Sequence, residues 1–130
     1  MKKDINIPEV KGINIAVAPD GDQWQVFIIN NNDFEINNVL INSSGFGLSE
    51  TGEKIETSTL RFFFDKIAMK SSEIIERLDP SVLGLNNEYW ISYWIDSQLY
   101  DRRFVFVPGA IDNKNMVYVN IIAKEAVLHA

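Results

Sequence analysis

The sequence predicts an all-β protein: an antiparallel β-sandwich, two sheets packed face to face, of about seven to nine short strands. Three observations lead there. Apolar and polar residues alternate with period two along most of the 130 residues. Turn-forming residues recur about every eight to twelve positions, the spacing of short strands in a sandwich. No strand–helix–strand rhythm runs through the chain, as a parallel sheet would need.

The elements follow in order. Ile13, Ile15 and Val17 alternate with Asn14, Ala16 and Ala18, and "PDGD" at 19–22 supplies Pro, Asp and Gly in the order a tight turn wants. A hairpin is expected there, its second strand at 24–30. The polar stretch "NNNDFEINN" suits a turn because asparagine tolerates left-handed backbone. A further strand is expected at 39–42, and "SSGFGLSETGE", with its three glycines, reads as the longest loop. Alternation resumes at 57–64, with Leu60, Phe62 and Phe64 on one side and Thr59, Arg61 and Phe63 on the other. Strands at 88–95 and 102–107 are joined by "DSQLYD", and strands at 116–122 and 126–128 finish the chain. One segment is ambiguous. Phe64, Ile67, Ala68, Ser71, Ile74, Ile75 and Leu78 fall at helical spacing behind Asp65, an available N-cap, so a short helix at 65–78 is the alternative and would make the fold α+β. The weak last turn, the β-branched pair Ile74-Ile75 and the flanking strands favour strand–turn–strand.

Composition sets the limits. A chain of 130 residues fits one domain and buries roughly two-thirds of its unfolded surface. With 46% hydrophobic and 23% charged residues it reads as globular, and its apolar runs are too short to cross a bilayer. The opening "MKKDINIPEV" breaks any leader-like apolar stretch with Asp4, Asn6, Pro8 and Glu9, so a cytoplasmic protein without membrane partners is expected. The absence of cysteine excludes disulfides, thiolate nucleophiles and cysteine-ligated zinc. A net charge of −6, with basic residues scattered except at Lys2-Lys3 and Arg102-Arg103, disfavours nucleic acid.

Candidate chemistry is thin. In "GLSETGEK" at 47–54, Glu53 puts a carboxylate where phosphates would sit, and no hydroxyl follows Lys54 to hold magnesium. Asp20 and Asp22 flank Gly21 but lack the further oxygen ligands calcium needs. The only histidine, His129, is read as standing in a fraying segment, a poor place for a general base. Asp96 and Asp101 read as solvated acids at the two ends of a hairpin loop. No catalytic residue, metal ligand or cofactor is therefore assigned.

The aromatic stretch "NNEYWISYWIDSQLYDRRFVFV" at 86–107 splits by strand geometry into two rows. Tyr89, Ile91, Tyr93 and Ile95 make the better core face, with the tyrosine hydroxyls reaching for partners. Trp90, Ser92, Trp94 and Asp96 then lie outside. The two tryptophans are expected to be covered, either by the chain itself or by another subunit with Phe63 joining them; a platform for a planar ligand such as a sugar ranks last.

Two resemblances add to this. Tyr89 stands two residues before the inward position Ile91, as a tyrosine does in the penultimate strand of immunoglobulin-type domains, so the sandwich is expected to be immunoglobulin-like, without the disulfide of antibody domains. The segments "KKDINIPEVKGINIAV", "NNEYWISYWID" and "LYDRRFVFV" resemble an uncharacterised family of short bacterial proteins of the Bacteroidetes type, over nearly the whole length. Some of its members carry the label phenylalanyl-tRNA synthetase alpha chain. The resemblance implies no known chemistry, since a synthetase needs an ATP-binding sheet with paired arginines in separate motifs and a far longer chain.

Two functional readings follow. The first is a non-enzymatic domain that binds protein, either a partner or itself as a homodimer, through sheet edges and an outer aromatic patch of Trp90, Trp94 and Phe63. The second is a small ligand-binding or enzymatic sandwich with its site in the end loops around "SSGFG" and "DSQLYDRR", where Tyr100 and Arg102 would serve it. The lack of a usable histidine or cysteine favours the first.

Overall fold

The computed structural model describes residues 11–130. The opening stretch read above for a leader, residues 1–10, lies outside them. The described residues form ten strands in two five-stranded antiparallel sheets. In order they are β1 (Ile13–Asp20), β2 (Gln23–Asn30), β3 (Ile36–Leu48), β4 (Lys54–Glu56), β5 (Leu60–Ile67), β6 (Ser71–Leu78), β7 (Asn86–Ile95), β8 (Gln98–Phe106), β9 (Met116–Val119) and β10 (Lys124–His129). Helix among the described residues is limited to three 3-10 turns of three residues each.

The first sheet has the order β6-β2-β1-β10-β9. The second runs β4-β3-β7-β8, with β5 beside β4 along the same edge of the long strand β3. Strands β1, β2 and β6 thus stand where A, B and E stand in an immunoglobulin-type sandwich, and β3, β7 and β8 where C, F and G stand. The hairpin β9–β10 is an addition that extends the first sheet beyond β1.

Alternation builds the core. Ile13, Ile15 and Val17 of β1 and Val26 and Ile28 of β2 face Ile41 of β3, Tyr89, Ile91 and Tyr93 of β7, and Phe104 and Phe106 of β8. Each of these is buried. Ile95, read as the fourth member of the inward tyrosine row, is half-buried at the end of its strand.

The ambiguous segment is strand–turn–strand, and its helical-looking spacing has a physical source. Between Val26 and Phe27 the register with β6 shifts, so Ile75 is an extra residue that turns inward. Ile75 and Leu78 consequently both reach the core three residues apart. A second irregularity lies where β3 shifts against β7, between Asn37 and Leu40, with Asn38 at φ 50. There Ile36 and Val39 are both buried, again three apart. β5 and β6 belong to different sheets, and the chain crosses between them at Ala68–Lys70, with Lys70 at φ 50. Buried Asn30 pins this crossing. Its amide donates to the carbonyls of Phe34, Ile67 and Ala68 while its oxygen accepts from the Asn32 main chain.

Two loop expectations and one strand expectation are corrected. β3 continues through Leu48, so only residues 49–53 of the glycine-rich stretch form a loop, closed by Ser49 against the main-chain N–H of Glu53. Gly45 is buried in that strand because Thr57 packs onto it, its hydroxyl accepting from the Gly45 N–H at 2.7 Å. The link between β7 and β8 is a two-residue turn, Asp96-Ser97, with Asp96 in left-handed backbone at φ 54. Leu99, Tyr100 and Asp101 are therefore strand residues. Finally, 116–122 is not one strand. β9 ends at Val119, and Asn120–Ile122 is a 3-10 turn that folds over the outer face of the first sheet.

That turn covers a second apolar cluster of Ala16, Ala18, Phe27, Ile29, Val119 and Ala126, with Ile121 and Ile122 packed on it. The alanines, which the sequence places outward, are fully buried because a small side chain lets the turn lie close.

Candidate binding face

The outer face of the second sheet is the opposite case. Since Ile41, Tyr89, Ile91 and Tyr93 point inward, Leu40 of β3 and Trp90 and Trp94 of β7 point outward, and Phe63 of β5 joins them opposite Leu40. Their exposures are 40% for Leu40, 41% for Trp90, 39% for Trp94 and 57% for Phe63. Of the two covers expected for the tryptophans, the chain itself or another subunit, the described residues supply the first only in part, since Trp90 and Trp94 stay partly exposed.

Cross-strand register fixes the rows. One runs Phe63, Leu40, Ser92, Asp101 and the next Arg61, Asn42, Trp90, Arg103. Arg103 makes an ion pair with Glu88 and stands over the Phe46 ring at 5.9 Å. Beyond this pair, at the end of the face, is an open cleft of about 350 Å³ lined by Ser44, Glu56, Thr57, Thr59, Glu88 and Arg103. The oxygen of the Asn42 side chain is buried without a hydrogen-bond partner beside Trp90.

Of the residues singled out from the sequence, Trp90, Trp94 and Phe63 come together on this face. Tyr100 and Arg102 do not. Both lie on the inward side of β8, the edge strand of the second sheet. Tyr100 stacks on Tyr93 with ring centroids 5.4 Å apart and planes within 13°. Arg102 lies over the Phe104 ring at 4.3 Å and donates to the Ala130 main-chain oxygen at 2.7 Å. They close the side of the sandwich. His129, read as a fraying residue, is held in β10 with its ring edge-on to Phe104 and Phe106. Leu40 was legible but not singled out: it alternates with Val39 and Ile41 in an expected strand.

The other motifs have structural uses. Asp20, at the end of β1 beside the first turn, pairs with Arg77 of β6 at 2.9 Å. "GLSETGEK" is a hairpin between β3 and β4, with no helix following it to present N–H groups to a phosphate. Among the described residues no group of three His, Asp or Glu side chains is placed to hold a metal ion, and no helix is long and apolar enough to cross a membrane.

Behind the face, Tyr89 joins the sheets. Its hydroxyl donates to Glu76 Oε2 on β6 at 2.7 Å, and Ser43 donates to the same oxygen at 2.7 Å. In immunoglobulin-type domains the corner tyrosine reaches main chain, so the acceptor here is a departure. Burial, reinforced by the Glu76 charge, raises the Tyr89 hydroxyl far above its ordinary range. Burial also pushes Tyr93 up to about 12, against a hydrogen bond from the Lys11 main chain and with the neighbouring Tyr100 adding to the rise.

Both shifts favour the neutral phenol in the folded state, so the stability they contribute is complete below the unfolded pKa of about 10 and is lost as pH rises through the folded values. In an alkaline titration read at 295 nm, Tyr93 is expected to ionise only at about pH 12, and Tyr89 only on unfolding. Full tyrosinate absorbance at pH 11 in the folded protein would contradict their burial.

No protein-family model matches this chain, and neither does any curated protein or any solved structure.

Proposed function

We propose that this chain is a cytoplasmic, non-enzymatic binding domain that acts through protein contacts on the outer face of its second sheet. One observation carries the reading: the two outer faces are treated differently. The first sheet covers the centre of its outer face, Ala16, Ala18, Phe27 and Ile29, with its own 3-10 turn and leaves the aliphatic Ile74, Val117 and Leu128 exposed around it, whereas the second leaves an aromatic group, Trp90, Trp94 and Phe63 with Leu40, partly exposed. Contiguous apolar surface of this kind is uncommon on soluble chains unless it is used, and tryptophan carries a disproportionate share of protein interface energy. The net charge of −6 argues against a nucleic-acid partner.

A second reading, a small ligand-binding or enzymatic sandwich, draws on the cleft at Ser44, Glu56 and Glu88, which adjoins the "SSGFG" segment. Against it, Glu88 is already paired with Arg103, and the one histidine packs on the inward face of β8 against Phe104 and Phe106, not among the cleft's lining residues.

The test is photo-crosslinking in living cells, with benzoylphenylalanine in place of Phe63 and, as a control, in place of Tyr118, which is comparably exposed at 62% on the first sheet. Discrete protein adducts from position 63 and none from position 118 are expected. Equal yields from both positions, or none from either, would remove the outer face from consideration.

A further inference from the structure

We propose that the partner is a second copy of this chain, docked face to face about a two-fold axis that runs across the strands along the row Phe63, Leu40, Ser92. The inference rests on the reading of this face as a protein-binding surface and names its occupant.

The argument is the symmetry of the side chains about that row. On β7, Trp90 and Trp94 lie two residues to either side of Ser92. On β5, Arg61 and Asp65 lie two residues to either side of Phe63, and both are exposed. An axis across the strands reverses each strand upon its own copy. Trp90 then meets Trp94 of the partner and Trp94 meets Trp90, while Phe63 and Leu40 meet themselves. Arg61 comes opposite Asp65 and Asp65 opposite Arg61, giving two ion pairs from one strand. The aromatic pattern is unchanged by the operation and the charge pattern on β5 becomes complementary under it, which is the requirement of an isologous contact. A two-fold axis parallel to the strands does neither: it sets Arg61 opposite Arg103 and Phe63 opposite Asp101. Twist leaves the facing strands about 30° from antiparallel, as in aligned sheet packing.

Area sets the strength. Four strands about 4.8 Å apart and about four rows along each give roughly 500 Å² per copy, less than the roughly 800 Å² per partner of a standard stable interface. A reversible dimer with a micromolar dissociation constant follows. The same axis brings Asp101 of β8 against its own copy at the rim, a repulsion that the arrangement carries.

Sedimentation equilibrium of the full chain over a roughly micromolar to millimolar range tests this. The parent chain is expected to dimerise, and Arg61→Asp or Asp65→Arg alone to raise the dissociation constant about tenfold or more, because each brings like charges together. The combined variant R61D/D65R is expected to return to within about threefold of the parent, since the swap restores both pairs, and Asp101→Asn to tighten the dimer. Circular dichroism of each variant should match the parent, as all three residues lie at the surface. A chain that stays monomeric throughout, or a combined variant no better than the single ones, would overturn the inference. Should the chain be monomeric while Phe63 crosslinks to a different protein, self-association fails and the binding face stands; with no adduct at all, both fail.

Discussion

Tyr89→Ala is expected to destabilise the fold by about 3–5 kcal/mol, the range for emptying a large aromatic site in a packed core. Tyr89 is 1% exposed and meets Phe106 edge-on at 6.4 Å. It also carries one of the hydrogen bonds that tie β7 to β6 across the sandwich. Alanine removes the ring, leaves a cavity between the sheets and frees one of the two donors to Glu76. Tyr89→Phe keeps the ring and loses only the hydroxyl, so about 1 kcal/mol is expected, the usual net value of a single hydrogen bond. Urea unfolding followed by circular dichroism separates the two. Since a domain has about 5–15 kcal/mol in total, the alanine variant should melt roughly 10–20 °C below the parent. Equal losses for the two variants would mean that the hydroxyl, and not the packing, joins the sheets.

Trp94→Ala is expected to behave in the opposite way, leaving the monomer's stability within about 0.5 kcal/mol while weakening the dimer about thirtyfold or more, the effect of deleting an interface hot spot. The reason is its position, one residue from Tyr93 and on the other face of the same strand. Ile91→Ala, inward on that strand, makes the contrast: it should cost about 2–5 kcal/mol in stability. Light scattering reads the association and a dilute thermal melt reads the fold. A melting temperature lowered as far as by Ile91→Ala would place Trp94 in a packed site and remove it from the interface.

Much of this was legible in the sequence, for a definite reason. In a strand the side-chain period is two, so "YWISYWI" separates its core row from its outer row without knowledge of any neighbour. The tryptophans, Phe63 and the buried tyrosines could therefore be assigned to faces. Turn chemistry was equally local at the first hairpin, which "PDGD" announces.

The misreadings came where a residue's fate depends on a distant partner. Tyr100 looked like a loop group, and Arg102 like the first strand residue after that loop, because nothing local shows that β7 and β8 pair down to Ile95 and Gln98. Ser43 to Leu48 looked like loop because glycine is weak in a strand, yet Gly45 is held there by a threonine twelve residues on. His129 looked loose because its support, the rings of Phe104 and Phe106, lies on another sheet.

What the sequence determined by itself is the class of the fold and the inner and outer sides of its strands, because both follow from local alternation and turn residues. Which outer face is covered was decided only by tertiary structure. Asn120–Ile122 carries two isoleucines that read as the end of a strand, and only the pairing of β9 with β10 and of β10 with β1 brings them over Phe27 and the two alanines. Covering the centre of the first sheet's outer face in this way leaves the aromatic one open. Coverage is a contact between segments far apart in the chain, and no local pattern encodes which of two apolar faces a turn will reach.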